Sequence, residues 1–101
     1  MDIHITTRHC QLNDEEHQAA VSAAEHLSKF HPKIIRVDII ASEESGQKGA
    51  EFNVRVQGHS VVAKEKGSEH IKAIHDARDK VERQLKKLNE RLHDVRPSAV
   101  S

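Results

Sequence analysis

In two stretches between Lys33 and Lys66 apolar side chains recur at every second position, and this spacing constrains the fold more than any other feature of the chain. Ala50, Phe52, Val54 and Val56 alternate with Glu51, Asn53 and Arg55, and Ile35, Val37, Ile39 and Ala41 form a similar series before them. Successive strand side chains point to opposite faces, so each series reads as a strand with one apolar face. A shorter fourth strand is expected in Ser60–Lys66, its lysines discouraging pairing with other chains. Ile3 and Ile5, alternating with His4 and Thr6, add a strand at the start. A sheet with one apolar face needs a second layer to cover it.

Two segments have the period to supply that layer. Asn13 can cap a helix and Glu16 can close a capping box. Ala20, Ala24, Leu27 and Phe30 or His31 then share one face, and Pro32 stops the run, giving a helix over 14–29. Ser68 is the expected N-cap of the second helix. Its apolar positions Ile71, Ile74, Ala77, Val81, Leu85, Leu88 and Leu92 keep helical spacing to about His93. The expected fold is α+β in the order β-α-β-β-β-α, a four-stranded sheet with two helices packed on one face, like a double-stranded-RNA-binding domain. Residues 1–95 form a single domain and 96–101 a short flexible tail.

The chain has 101 residues, no Trp or Tyr, and only Phe30 and Phe52 among large aromatics, so its core must be small and aliphatic. One cysteine, Cys10, excludes an internal disulfide and a multi-cysteine zinc site. The first residues lack the basic and apolar regions of a signal peptide, and no apolar run approaches the roughly 20 residues a membrane span needs. The expected setting is cytoplasmic, away from any membrane.

Chemistry-bearing patterns are sparse. The nine histidines include no pair three or four apart, the spacing that puts two imidazoles on one helical face, so no metal is expected and the histidines are read as surface groups. His9 and Cys10, as neighbours on a strand, would face opposite ways and cannot act as nucleophile and base. No phosphate-cradling glycine loop and no nucleophile elbow is present. The chain is expected to be no enzyme, with no cofactor and no small-molecule substrate.

Charge carries the functional signal. Formal net charge is zero, yet residues 1–47 hold four basic and eight acidic side chains while residues 48–101 hold twelve and eight. The basic excess gathers in Asp79–Leu92, "DKVERQLKKLNERL". Beside the apolar stripe of Val81, Leu85, Leu88 and Leu92, one flank takes Lys80, Gln84, Lys87 and Arg91, with Arg83 just beyond. Acid–base pairs four apart (Asp76–Lys80, Asp79–Arg83, Glu82–Lys86) would make this an ordinary solvated helix, each pair contributing about 0.2–0.5 kcal/mol. Lys87 and Arg91 have no acid four residues before them, and with Lys80 and Arg83 they make a row suited to a phosphate backbone. A dimeric coiled coil through heptad positions 74, 81 and 88 is a third option, less simple than packing on the sheet.

"AIHDARDKVERQLKKLNERL" (Ala73–Leu92) resembles the last helix of the short ribosome hibernation-promoting factors and of ribosome-associated inhibitor A, a family also described as sigma-54 modulation proteins. The opening "IHITTRH" and the strands resemble that family more loosely. The resemblance implies a protein on the small ribosomal subunit, in contact with 16S rRNA, that occupies the messenger RNA and tRNA channel and inhibits translation. Such proteins act in stress and stationary phase, and the short type favours inactive ribosome dimers. It implies RNA-binding roles for Lys80, Arg83, Gln84, Lys86 and Lys87, with Arg91 extending the face, Arg8 near the first strand and Lys66 near the start of the last helix. Departures fall in the first helix, where Asp14-Glu15-Glu16, His17, Ala19, Ala23, Ala24 and His26 replace larger apolar and basic residues, and at Ile71, where a tyrosine is common. The alternative function is a protein-interaction module that modulates a transcription factor.

Overall fold

A computed structural model describes residues 1–100, with side chains through Glu90. The elements are β1 (Asp2–Arg8), α1 (Asp14–Leu27), β2 (Ile34–Glu44), β3 (Gln47–Val56), β4 (His59–Gly67) and α2 (His70–Val100). α2 is thus longer than the stretch to about His93 that the apolar periodicity marks. Arg91, Leu92 and the expected tail 96–101 fall beyond the described side chains.

The four strands lie in the order β1-β2-β3-β4. β1 pairs parallel to β2, which requires a crossover, and α1 provides it. The other two pairings are antiparallel hairpins. Ser45 and Gly46, at φ 53° and 78°, close the first one. Both central residues of such a two-residue turn need positive φ, which explains the glycine. The second connection is Gln57–Gly58, so His59 already belongs to β4.

Cross-strand register aligns Ile5, Ile39, Phe52 and Ala63 in one row through all four strands. Phe52 is fully buried at the centre of that row. Both helices cover this face: α2 packs over β3 and β4, and α1 packs against α2 and β1. α1 contributes Ala20, Ala23, Ala24 and Leu27 to the core, so small side chains let it approach closely. α2 contributes Ala73, Ile74, Ala77, Val81 and Leu85. The sheet therefore uses the α2 stripe as far as Leu85, and a coiled coil through Ile74 and Val81 is not available to it.

Local expectations hold with instructive exceptions. The capping box is present: the Glu16 N–H donates to Asn13 Oδ1 at 2.7 Å, and the Asn13 N–H donates to Glu16 Oε1 at 2.9 Å. α1 ends at Leu27 instead of Lys29, because Ser28, Lys29 and Phe30 donate to carbonyls three residues back and tighten the last turn. A bulge between Ile34 and Arg36 turns Ile34 toward the core and leaves Ile35 51% exposed, reversing the expected order of the two isoleucines. The first bond of α2 runs from the Ala73 N–H to the Glu69 carbonyl, so its boundary falls one residue after the expected Ser68 cap. The next residue, His70, is the first of the helix and is buried.

Candidate nucleic-acid interface

Helical periodicity turns the apolar stripe of α2 to the sheet and its basic residues outward. Lys80, Arg83, Gln84, Lys86 and Lys87 are all exposed, but they are not equivalent. Lys80 pairs with Glu65 at the end of β4 instead of Asp76, which Lys72 holds at 3.1 Å. Asp79 pairs with its neighbour Arg78 at 3.0 Å, and the expected Asp79–Arg83 pair does not form. Of the three expected helical pairs only Glu82–Lys86 is made, at 3.3 Å.

Lys86 is further committed, its ammonium lying 5.0 Å from the centroid of the Phe30 ring. Phe30 meets His26 edge-on, and His26 Nε2 is 3.0 Å from Glu82 Oε1. This cluster fastens α1 to α2. The His26 hydrogen bond, with Lys86 adding a second, holds the Glu82 carboxyl below its usual range. Arg83, Gln84 and Lys87 have no ion-pair or hydrogen-bond partner among the described residues. Gln84, Lys87 and Leu88 form one wall of a cleft whose other wall is His59, Ser60 and Val61 of β4.

Arg8 and Lys66 sit elsewhere. Register aligns Arg8, Ser42, Gly49 and Lys66 in one row on the sheet face that no helix covers. Three strand spacings separate its ends, about 14 Å. A Cβ on Gly49 would lie 2.8 Å from Ser42 Oγ, so only glycine leaves this row unobstructed. Glu44, Glu51 and Glu65 share the same shallow hollow and offset its basic charge. The expected RNA-binding set therefore divides into an α2 group and an open-face pair, and the Arg91 side chain lies outside the described residues.

Two histidines depart from the surface expectation. His70 is 2% exposed: Nε2 donates to the Ser42 carbonyl at 3.1 Å and Nδ1 lies 3.4 Å from Glu16 Oε2. It ties the starts of both helices to the end of β2. A signal existed in its position four residues before Ile74 and seven before Ala77, on the inward face. His31 is also buried, and burial, with His59 nearby, pushes its pKa down. His9 and Cys10 lie beyond β1 and not on it; His9 takes φ 57°, and the half-buried Cys10 thiol points to the Ala41 carbonyl at 3.5 Å.

The open sheet face carries no Phe, Tyr or Trp, and Phe52 points into the core. The sheet thus lacks the large aromatic platform on which single-strand readers stack bases, while phosphate and shape recognition need only placed cations and polar groups. Among the described residues no three His, Cys, Asp or Glu gather as metal ligands, and no helix is long and apolar enough to cross a membrane.

Solved structures that share this fold include two that superpose over most of the chain. A ribosomal subunit interface protein from Coxiella burnetii superposes with a TM-score of 0.79 at 19% identity, covering 89% of this chain and 99% of its own. The N-terminal domain of Thermus thermophilus Protein Y also gives 0.79, at 21% identity, covering 87% and 99%. At these identities the likeness speaks for the fold alone. No curated protein sequence matches the chain. The sequence model of one family, described as sigma 54 modulation protein / S30EA ribosomal protein, matches residues 3–93. With nearly the whole domain matched, the chain belongs to the sigma-54 modulation / S30EA ribosomal protein family, whose members are ribosome-associated proteins and not enzymes.

Proposed function

We propose that this protein is a hibernation factor that binds the small ribosomal subunit through 16S rRNA. There it occupies the channel used by messenger RNA and tRNA, inhibits translation, and favours inactive ribosome dimers in stress and stationary phase. Its place of action is the cytoplasm, with the ribosome. The observation that carries the reading is the outer flank of α2, where Arg83, Gln84 and Lys87 stand exposed and uncommitted among the described residues. These groups can bond phosphates without first giving up an internal partner. Arg8 and Lys66 offer a second contact on the open face.

The mechanism needs no chemistry. A rigid domain held by phosphate contacts excludes other occupants by volume, and competition with messenger RNA or initiator tRNA follows. Phosphate contacts position a protein without reading sequence, which suits a target of fixed shape. Formal neutrality of the whole chain limits promiscuous RNA binding, while one basic flank still docks.

Sucrose-gradient sedimentation and a cell-free translation assay test the proposal. The wild-type protein should travel with small subunits and inhibit translation. The double variant Arg83→Glu/Lys87→Glu should do neither, with its circular dichroism unchanged. Undiminished co-sedimentation of a folded double variant would overturn the assignment. A wild-type profile confined to the top of the gradient would favour modulation of a transcription factor instead.

A further inference from the structure

The cleft beneath the α2 flank does not end at β4. It is lined by His59, Ser60, Val61, Gln84, Lys87 and Leu88. A second hollow, around the end of the β3–β4 hairpin, is lined by Arg55, Val56, Gly58, His59 and Ser60. A third, on the uncovered sheet face, is lined by Arg36, Asp38, Asn53, Arg55 and Ser60. His59 and Ser60 join the first to the second, and Arg55 and Ser60 join the second to the third. Together they make one furrow from α2, around the hairpin end, onto the open face.

The chemistry along this furrow suits a polyanion. Lys87, Arg55 and Arg36 are its fixed cations and Asp38 its one carboxylate. Asp38 bonds Arg36 only through Nε, at 3.0 and 2.9 Å, so the terminal NH2 groups of that guanidinium have no described partner. Arg55 has neither an ion pair nor a hydrogen bond among the described residues. Register sets Arg36 directly opposite Arg55. Like charges opposed across two strands repel; Asp38, and Asp2 opposite Arg36 on β1, both act on Arg36, while among the described residues no carboxylate pairs with Arg55. An anion at this point relieves the repulsion, and a guanidinium fork matches two phosphate oxygens. Ser60, Asn53 and Gln84 add neutral hydrogen-bonding groups between the cations. The other open-face hollow, with three glutamates among its basic residues, is a poorer place for the same ligand.

We propose that this furrow holds a ribose-phosphate strand of RNA, led from the Gln84–Lys87 flank around the β3–β4 hairpin to Arg55 and Arg36, and gripped by its backbone. The proposal rests on the RNA-binding reading above and extends it to the β3–β4 hairpin end and to Arg55 and Arg36, residues that reading does not use. The furrow holds no Phe, Tyr or Trp, and His59 is the one ring among its lining residues, so the strand is held by its backbone and not by a stacking platform.

Titrations with purified small ribosomal subunits at several salt concentrations test it, using Arg55→Gln, Lys87→Gln and, as a control outside the furrow, Lys29→Gln. Arg55 is exposed and unbonded, so its variant keeps the fold, which circular dichroism verifies. Each lost phosphate contact should flatten the plot of log K against log salt by about 0.7–0.9. Arg55→Gln and Lys87→Gln should each show that loss, and Lys29→Gln none. Wild-type behaviour of Arg55→Gln beside a weakened Lys87→Gln would overturn the furrow and leave the α2 interface standing. Loss at Arg55 with none at Lys87 would break the continuity claimed for it. No change in either variant would remove the RNA reading, and the furrow with it.

Discussion

Neutralising Glu65 should make the protein bind small ribosomal subunits more tightly, although the change breaks an ion pair. Lys80 Nζ rests against Glu65 Oε1, with the two side chains 48% and 26% exposed. A lysine already neutralised by a carboxylate has little to gain from a phosphate, because one partner must be exchanged for the other. Glu65→Gln frees the ammonium while keeping the shape of the side chain. The regained contact should steepen the plot of log K against log salt by about 0.7–0.9. A fourfold rise in salt should then cost the variant roughly 2.6- to 3.5-fold more affinity than it costs the wild type. Exposed pairs contribute about 0–1 kcal/mol, small beside the roughly 5–15 kcal/mol of a typical domain, so the fold survives the change. The assay is titration of fluorescently labelled protein with small subunits between about 50 and 200 mM salt. Adding Lys80→Ala to Glu65→Gln should remove the gain, since the gain runs through that ammonium. An unchanged slope in Glu65→Gln, or a gain that survives Lys80→Ala, would refute the reasoning.

Gly49→Ala should destabilise the domain by about 1–3 kcal/mol, since its Cβ would lie 2.8 Å from Ser42 Oγ. Ser42→Ala in the same chain should recover much of that loss, as urea denaturation of the single and double variants would show. Acid should weaken the α1–α2 junction through Glu82, whose carboxyl lies below its usual range because of the His26 hydrogen bond first and Lys86 second. Its contribution is present above the unfolded carboxylate pKa of about 4.3 and is lost as pH falls through the lower folded value. Glu82→Gln should therefore lose less stability than wild type between about pH 6 and pH 3, read from urea midpoints.

Much of the fold was legible because its signals are local. The alternation of Ala50, Phe52, Val54 and Val56, the Asn13–Glu16 box and the Ile74–Leu85 stripe each depend on residues a few positions apart. The sorting of Lys80, Gln84 and Lys87 onto one flank has the same origin. The bulge at Ile34 was not legible, because a one-residue slip leaves composition and spacing intact while exchanging which isoleucine faces inward. The division of the site was equally hidden. Arg8 and Lys66 are far apart in sequence, and only strand register sets them in one row with Ser42 and Gly49, away from α2.

What the sequence determined by itself is the order of elements, the single apolar face of the sheet, the helical cover and the basic flank. All of these follow from periods of 2 and 3.6 residues and from end-capping. Tertiary structure alone decided which cations remain available. Glu65 reaches Lys80, Glu82 takes Lys86 and His26, and Arg55 meets Arg36 across two strands because packing and register bring distant segments within a few ångströms. Coulomb interactions fall off with distance through space and not along the chain, so a list of charges in sequence order says where basic residues are but not which are free to bind.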